Sequence, residues 1–202
     1  MQSGSIQQRH CAFNVQTQQP KIHMEFAIHT DAGFRGPKTA VIKAPDQRTD
    51  AYHVNWKGSS DVDIRRGGPS GTLIGRVNFH TFSQTVDIEF ENSQISKLTN
   101  AGVFSRALTL PLPAASKKSQ FYWKIDGIFS GWKKLKQEDA DGTVVATYTS
   151  GGMRLSPKNA LLTLKVAGLS QKFVDQTVVS LMAAVEKYRR ATIGAAAGSA
   201  AA

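Results

Sequence analysis

Apolar and polar residues alternate along most of the chain between positions 22 and 166. Turn-forming residues interrupt this alternation at short, regular intervals, which is typical of an all-β barrel or sandwich. Because successive side chains of a strand point to opposite faces, each alternating segment predicts a strand with one buried face. The alternation is weak at 92–108, where we predict no strand. In total we predict about eleven strands. Their ranges are 22–30, 39–44, 51–57, 62–66, 73–81, 86–90, 108–112, 121–125, 132–137, 143–149 and 161–166.

The segment from Ser170 to Arg190 has a different pattern, because apolar residues occupy nearly every side of a predicted helix. A helix that is hydrophobic all round is buried in a protein core or in a membrane. Its uninterrupted apolar part, 177–185, is much shorter than the roughly 20 residues that span a bilayer. We therefore predict a sheet wrapped around one central helix, with Ser170 as the N-cap. The predicted core residues of this helix are Phe173, Val174, Val178, Leu181, Met182 and Val185.

The chain of 202 residues is long enough for one domain with a full hydrophobic core, which we place at 21–193. Residues 1–20 are rich in Gln and Ser and lack periodicity, so we predict a mobile arm. Residues 194–202 are a low-complexity run that we interpret as a tail or a cloning scar. The single cysteine, Cys11, cannot form an intramolecular disulfide, which favours a reducing compartment. No secretory apolar region follows Met1, so we predict a cytoplasmic protein.

An all-β chain with a C-terminal helix that is hydrophobic on every side resembles the tubby C-terminal-like superfamily. The segments that carry this resemblance share patterns of aromatic and apolar residues, and residues 51–190 look like the fungal tubby-C-like domains of unknown function. These segments are 52–56 (YHVNW), 121–127 (FYWKIDG), 132–135 (WKKL), 144–148 (VVATY) and 173–178 (FVDQTV).

The resemblance implies a mainly β fold, namely a closed antiparallel β-barrel of about eleven to twelve strands around a central hydrophobic C-terminal helix. Tubby proteins bind phosphoinositides through basic residues on the barrel surface. The resemblance therefore implies an acidic lipid as partner, but it assigns no particular residue of this sequence to that role. It implies no catalytic residue and no cofactor.

The charge balance points to a polyanionic partner, because 25 Lys and Arg residues against 15 Asp and Glu residues give a net charge of +10. The alternative is that this charge only maintains solubility. The densest basic cluster accompanies the aromatic residues Tyr122, Trp123 and Trp132, a combination that suits a membrane interface or base stacking. The alternative for this cluster is that its lysines protect a sheet edge and its aromatic residues belong to the core. The predicted lipid-binding lysines are Lys117, Lys118, Lys133, Lys134 and Lys136.

Two further groups of cations accompany this cluster, and the first of them, Arg65 and Arg66, is predicted to form a second lipid-binding patch. Arg65 and Arg66 precede Gly67 and Gly68, and a glycine turn of this kind can bind an anion through backbone N–H groups. The alternative is a solvated strand end. Lys187, Arg189 and Arg190 are predicted at the C-terminal end of the helix, where the helix dipole favours cations.

Residue patterns that would indicate catalysis or metal binding are missing from the sequence. The sequence contains no GxSxG and no HExxH motif, and the glycines at 67–71 lack the GK[ST] of a P-loop. Asp87, Glu89 and Glu91 are predicted on a solvated strand face. We interpret the five histidines as structural or solvent-exposed and predict no metal site; they are His10, His23, His29, His53 and His80.

The sequence therefore predicts a non-enzymatic binding module that docks acidic membrane lipids, with phosphoinositides as the expected class. In that case the protein would be cytoplasmic or peripheral at a membrane. Two alternatives stay open, a protein-interaction scaffold without a lipid role and a nucleic-acid-binding domain. Binding measured at high salt distinguishes these two alternatives, because salt screens exposed charges and steeply lowers the affinity for nucleic acid.

Overall fold

The computed structural model describes residues 23–33, 36–58, 60–80, 83–91, 93–102, 105, 107–115, 120–125, 134–150 and 158–199. Within these residues the chain forms twelve strands and one helix. The strands are β1 (Met24–Gly33), β2 (Gly36–Lys43), β3 (Asp50–Lys57), β4 (Asp61–Arg66), β5 (Thr72–Phe79), β6 (Val86–Phe90), β7 (Gln94–Asn100), β8 (Leu108–Pro111), β9 (Gln120–Ile125), β10 (Lys134–Glu138), β11 (Val144–Thr149) and β12 (Lys158–Leu164), and the helix is α1 (Gln171–Ser199).

The strands form a closed antiparallel barrel in which each strand pairs with its neighbours in sequence and β1 closes on β12. Closure removes the exposed edges that an open sheet would present. The predicted mainly β fold with a closed barrel and a C-terminal helix is confirmed. Strands β9 and β10 pair with each other, with Leu135 opposite Ile125 and Gln137 opposite Trp123.

Strand β7 lies in the segment where we predicted no strand. Its inward-facing residues Ser96 and Leu98 are buried, whereas Ile95 on the outer face is 65% exposed. A polar residue inside and an apolar residue outside invert the alternation that identifies a half-buried strand. The pairing with β6, from Val86 opposite Leu98 to Phe90 opposite Gln94, overrides this weak local pattern.

The helix runs through the middle of the barrel, and every side chain from Phe173 to Glu186 is buried. The six predicted core residues of the helix are among them, with exposed fractions between 0% and 9%. Ser170 caps the helix as predicted, since its Oγ accepts a hydrogen bond from the N–H of Phe173 at 3.2 Å. The helix extends beyond the predicted end at Arg190 to Ser199. The extension comprises residues 191–199, of which 194–199 belong to the predicted tail, and its alanines favour it because alanine has the highest helix propensity.

Because successive strands alternate in direction, their connections fall alternately at the two ends of the barrel. We call the end at which the helix begins the proximal end; Tyr52 at the start of β3 and Arg66 at the end of β4 contact the helix there. We call the opposite end the distal end; the helix leaves the barrel there beside Phe79 and Gln84.

The helix fits the barrel through close packing and through polar contacts inside the core. Gly75 of β5 faces Val179, and a Cβ atom at this position would lie 2.7 Å from the Val179 Cγ2 atom. The indole Nε1 of Trp123 donates a hydrogen bond to Ser180 Oγ at 3.0 Å, and Ser180 in turn donates to the carbonyl of Thr177 at 2.9 Å. These contacts set both the depth and the rotation of the helix in the barrel.

The predicted mobile arm 1–20, with Cys11 and His10, lies outside the described residues. So do residues 200–202 of the predicted tail. No helix within the described part of the chain combines the length and the apolar character that a membrane span needs.

Candidate anion-binding site

The predicted lysine cluster is only partly within the described residues, because Lys117, Lys118 and Lys133 lie outside them. The described residues that flank Lys117 and Lys118, Ala115 and Gln120, lie at the proximal end of the barrel. Lys134 follows Lys133 directly and is exposed at the first position of β10, at the distal end. The described residues of and beside the predicted lysine cluster therefore lie at both ends of the barrel rather than together at one end.

Lys136 takes part in an ion pair on the outer face of the barrel. Its ammonium lies 2.9 Å from Glu138 Oε1, and Lys124 of the neighbouring strand binds the other oxygen of the same carboxylate. The hydrogen bonds from Lys124 and from Lys136 hold the pKa of the Glu138 carboxyl below its ordinary value. Glu138, which follows the predicted cluster in the sequence, therefore already balances part of the positive charge of that cluster.

The predicted second patch, Arg65 and Arg66, belongs to the internal contacts of the proximal end. The Arg65 guanidinium donates to the carbonyl of Gly71 at 2.9 Å across the β4–β5 turn. Arg66 forms an ion pair with Asp175 of the helix and lies 3.7 Å from Glu91. Both arginines therefore have structural partners within the protein, and neither is left unpaired for a bound anion.

Asp175 is the centre of a buried polar network that ties the helix to the barrel. Tyr52 donates its hydroxyl hydrogen to Asp175 Oδ1 at 2.8 Å, and the Gln171 amide donates to Asp175 Oδ1 at 2.8 Å and to the Tyr52 hydroxyl at 3.0 Å. Burial raises the pKa of Tyr52, so this phenol stays protonated and keeps donating. Sequence analysis missed this network because its members on the barrel and on the helix are more than a hundred positions apart.

The distal end carries a different arrangement of charges, centred on Glu186. This carboxylate is 2% exposed and receives two hydrogen bonds from Arg189, at 2.7 and 2.6 Å, and one from Arg190 at 2.7 Å. Burial alone would raise the pKa of Glu186, but the hydrogen bonds from the two arginines outweigh it and lower this pKa. Two cations share one buried carboxylate, so the group keeps a net positive charge. We predicted these arginines at the C-terminal end of the helix, and this prediction is wrong because the helix continues to Ser199.

A cavity of about 570 Å³ opens beside these residues at the distal end. Lys187 and Arg190 from the helix contribute its cations. Phe79, Val86, Leu108 and Tyr188 contribute apolar surface. The remaining lining residues carry mostly hydroxyl, amide or imidazole groups and are Ser60, His80, Ser83, Gln84, Thr85, Asn100, Ser105 and Ala191.

The two ends of the barrel differ in charge over the described residues. At the proximal end Lys43 and Arg66 are paired with Asp50 and Asp175. The distal end carries the exposed Lys134 together with the cations of the last barrel-spanning turn of the helix. The proximal carboxylates include Glu25, Asp46, Asp50, Glu91, Glu138, Asp139, Asp141 and Asp175, whereas the distal ones include Asp31, Asp61, Asp87 and the buried Glu186. The distal end is the more positive of the two.

Other candidates from the sequence have ordinary structural positions. Trp123 is fully buried in the core, and Glu89 and Glu91 lie on the outer face as predicted. His80 lies 2.9 Å from Asp87. Among the described residues no three His, Cys, Asp or Glu side chains are grouped so that they could hold a metal ion.

Comparison with known proteins supports the fold. The X-ray structure of a protein from Arabidopsis thaliana is similar over 80% of this chain and 90% of that chain, with a TM-score of 0.50 and 13% sequence identity. At this identity the likeness shows the fold alone. Neither a protein-family model nor a curated protein matches the sequence. A closed barrel of twelve antiparallel strands with one C-terminal helix fits a tubby-like fold.

Proposed function

We propose that this protein is a member of the tubby C-terminal-like superfamily and serves as a non-enzymatic module that docks acidic phospholipids. The barrel architecture and the resemblance to the fungal tubby-C-like domains support the family. Phosphoinositides are the expected headgroups, since they combine high negative charge with a membrane location. The protein would then lie at the cytoplasmic face of a membrane as a peripheral protein.

The difference in charge between the two ends carries this proposal. A flat bilayer contacts one end of a barrel at a time, because strands that are mostly five to eight residues long separate the ends by roughly 20 Å. Lys134, Lys187, Arg189 and Arg190 lie at the distal end, with one buried carboxylate, Glu186, beneath the two arginines. Each cation close to an anionic leaflet contributes about 1 kcal/mol to binding. The distal end is therefore the face that would meet the membrane.

Vesicle co-sedimentation with a matched pair of variants tests the proposal. Lys134→Gln removes an exposed cation at the distal end, and Lys172→Gln removes an exposed cation at the proximal end. We expect the unaltered protein to sediment with vesicles that contain phosphatidylserine or a phosphoinositide, and to stay in the supernatant with neutral phosphatidylcholine. Lys134→Gln should weaken binding about fivefold, which corresponds to about 1 kcal/mol, and Lys172→Gln should leave it unchanged.

Four outcomes would contradict the proposal. Equal sedimentation with neutral vesicles would exclude charge as the basis of binding. Equal effects of the two variants would exclude the distal end as the docking face. Binding to an oligonucleotide but to no vesicle, with affinity that falls steeply as salt rises, would favour the nucleic-acid alternative instead. Retention of a protein partner at high salt without vesicle binding would favour the scaffold alternative.

A further inference from the structure

We propose that the distal cavity binds one molecule of an amphipathic organic anion. In this arrangement the carboxylate, phosphate or sulfonate group contacts Lys187 and Arg190, and the apolar body packs against Phe79, Val86 and Leu108. Lys187 and Arg190 also belong to the proposed docking face, but this proposal concerns a single dissolved molecule rather than a bilayer surface. It would therefore hold whether or not the protein binds vesicles.

Lys187 is the first argument for an anionic ligand. Its side chain is half buried, and its ammonium donates a hydrogen bond to the backbone carbonyl of Gln84. None of the described carboxylates lies within ion-pairing distance of it. Burial without a counter-charge lowers the pKa of this ammonium. A cation that is partly desolvated and unpaired by charge costs free energy, which a bound anion would offset.

Arg190 is the second argument, because its guanidinium is held in a fixed position at the cavity wall. The guanidinium carbon lies 4.0 Å from the centre of the Phe79 ring, and Nε donates to Glu186 at 2.7 Å. A guanidinium has five N–H donors in a planar fork, so the terminal nitrogens of a side chain anchored through Nε can bind an oxyanion. Lys187 and Arg190 are three positions apart on one helix, so both lie on the same helix face.

The apolar part of the cavity explains why the ligand should be amphipathic rather than a simple ion. Phe79, Val86, Leu108 and Tyr188 are part of the cavity lining, and a free phosphate ion would leave their apolar surface without a partner. A volume of about 570 Å³ is within the usual range of small-molecule sites, roughly 300 to 1,000 Å³. Hydroxyl groups such as those of Ser60 and Ser83 can add hydrogen bonds to a polar head.

Fluorescence titration with 1-anilinonaphthalene-8-sulfonate, an amphipathic sulfonate, tests the site in the absence of vesicles. We expect saturable binding of one molecule per chain. Decanoate should displace the probe, because it combines an anionic head with an apolar chain. Inorganic phosphate and decanol, which each lack one of the two features, should displace it at least tenfold less well. Displacement by decanol as effective as by decanoate would overturn the role of the cations.

Variants separate the cavity from other surfaces. Lys187→Gln should weaken probe binding about tenfold, Lys187→Arg should retain it, and Lys172→Gln at the proximal end should leave it unchanged. Ser105→Trp replaces an exposed residue that lines the cavity, so it should block the site. It removes only an exposed hydrogen bond, from the Ala107 N–H to the Ser105 hydroxyl, so the melting temperature should change little. If Lys187→Gln lowers the melting temperature, the Ser105→Trp variant decides the question. Probe binding unchanged in Ser105→Trp would overturn the proposal.

Discussion

The two ends of this barrel use the same residue types for different purposes. At the proximal end Arg66 and Asp175 form an ion pair that joins a strand to the helix, and Tyr52 and Gln171 complete the network. At the distal end Glu186 binds two arginines of its own helix, and Lys187 lines an open cavity. The proximal charges connect elements that are distant in sequence, whereas the distal charges are arranged locally and remain available to a ligand. The number of cations alone therefore does not identify a binding surface. What identifies it is whether the counter-charges come from a distant element or from the same helix.

The largest expected effect comes from a change that disrupts both ends together. Leu181 lies in the centre of the helix with no exposed surface, between the two polar regions. Leu181→Asp places a carboxylate in the hydrophobic core, which costs several kcal/mol. We expect the domain to unfold, as measured by loss of the cooperative thermal transition in circular dichroism. Ile193→Asp, at a helix position that is 55% exposed, is the control and should fold normally. A folded Leu181→Asp protein would show that the helix is not central.

The proximal network can be broken separately. Asp175→Ala leaves the Tyr52 hydroxyl, the Gln171 amide and the Arg66 guanidinium without their shared acceptor, so we expect a loss of about 3 kcal/mol in the free energy of unfolding. Glu186→Ala at the distal end should cost less, because only the partly exposed Arg189 and Arg190 lose their acceptor, whereas Asp175→Ala also leaves the buried Tyr52 hydroxyl without one. Urea denaturation of the two variants measures the difference. Equal losses would mean that the distal ion pairs stabilise the fold as much as the proximal ones.

The contact between Gly75 and Val179 lies between the ends and tests how tightly the barrel holds the helix. Gly75→Ala adds a methyl group 2.7 Å from a branched side chain that has little freedom to rotate. Overpacking of this kind costs about 1 to 3 kcal/mol. The double variant Gly75→Ala with Val179→Ala should recover part of the loss, since the second change creates the missing space. Additive losses in this double-mutant cycle would show that the two residues do not compete for space.

The barrel could be predicted from the sequence because most of its strands alternate regularly, as in β3 and β6, and because the helix is apolar on all sides. Strand β7 was missed because Ser96 faces inward and Ile95 faces outward, so pairing with β6 determines its structure. The distal cavity could not be predicted, because it joins residues around positions 60, 80, 100 and 190 that only the barrel brings together. The basic cluster was visible in the sequence, but the partners of Lys136 and Arg66 were not. Sequence patterns report burial well and report charge pairing between distant segments poorly.

The smallest expected effect is the dependence of stability on the protonation of Glu186. The hydrogen bonds from Arg189 and Arg190 lower its pKa in the folded protein relative to the ordinary value of 4.5 in an unfolded chain. A carboxyl group with a lowered folded pKa contributes stability that is fully present above the unfolded pKa and is lost as the pH falls through the folded pKa. Asp63 and Glu138 also have lowered pKa values, so their contributions to the stability of the fold are likewise lost as the pH falls. Glu186→Gln removes one component, so its melting temperature should fall less than that of the unaltered protein when the pH is lowered below 4.5. Melting temperatures that fall equally for the two proteins over this pH range would show that the distal arginines do not hold Glu186 ionised. The ion-pair basis of the distal arrangement would then have to be abandoned.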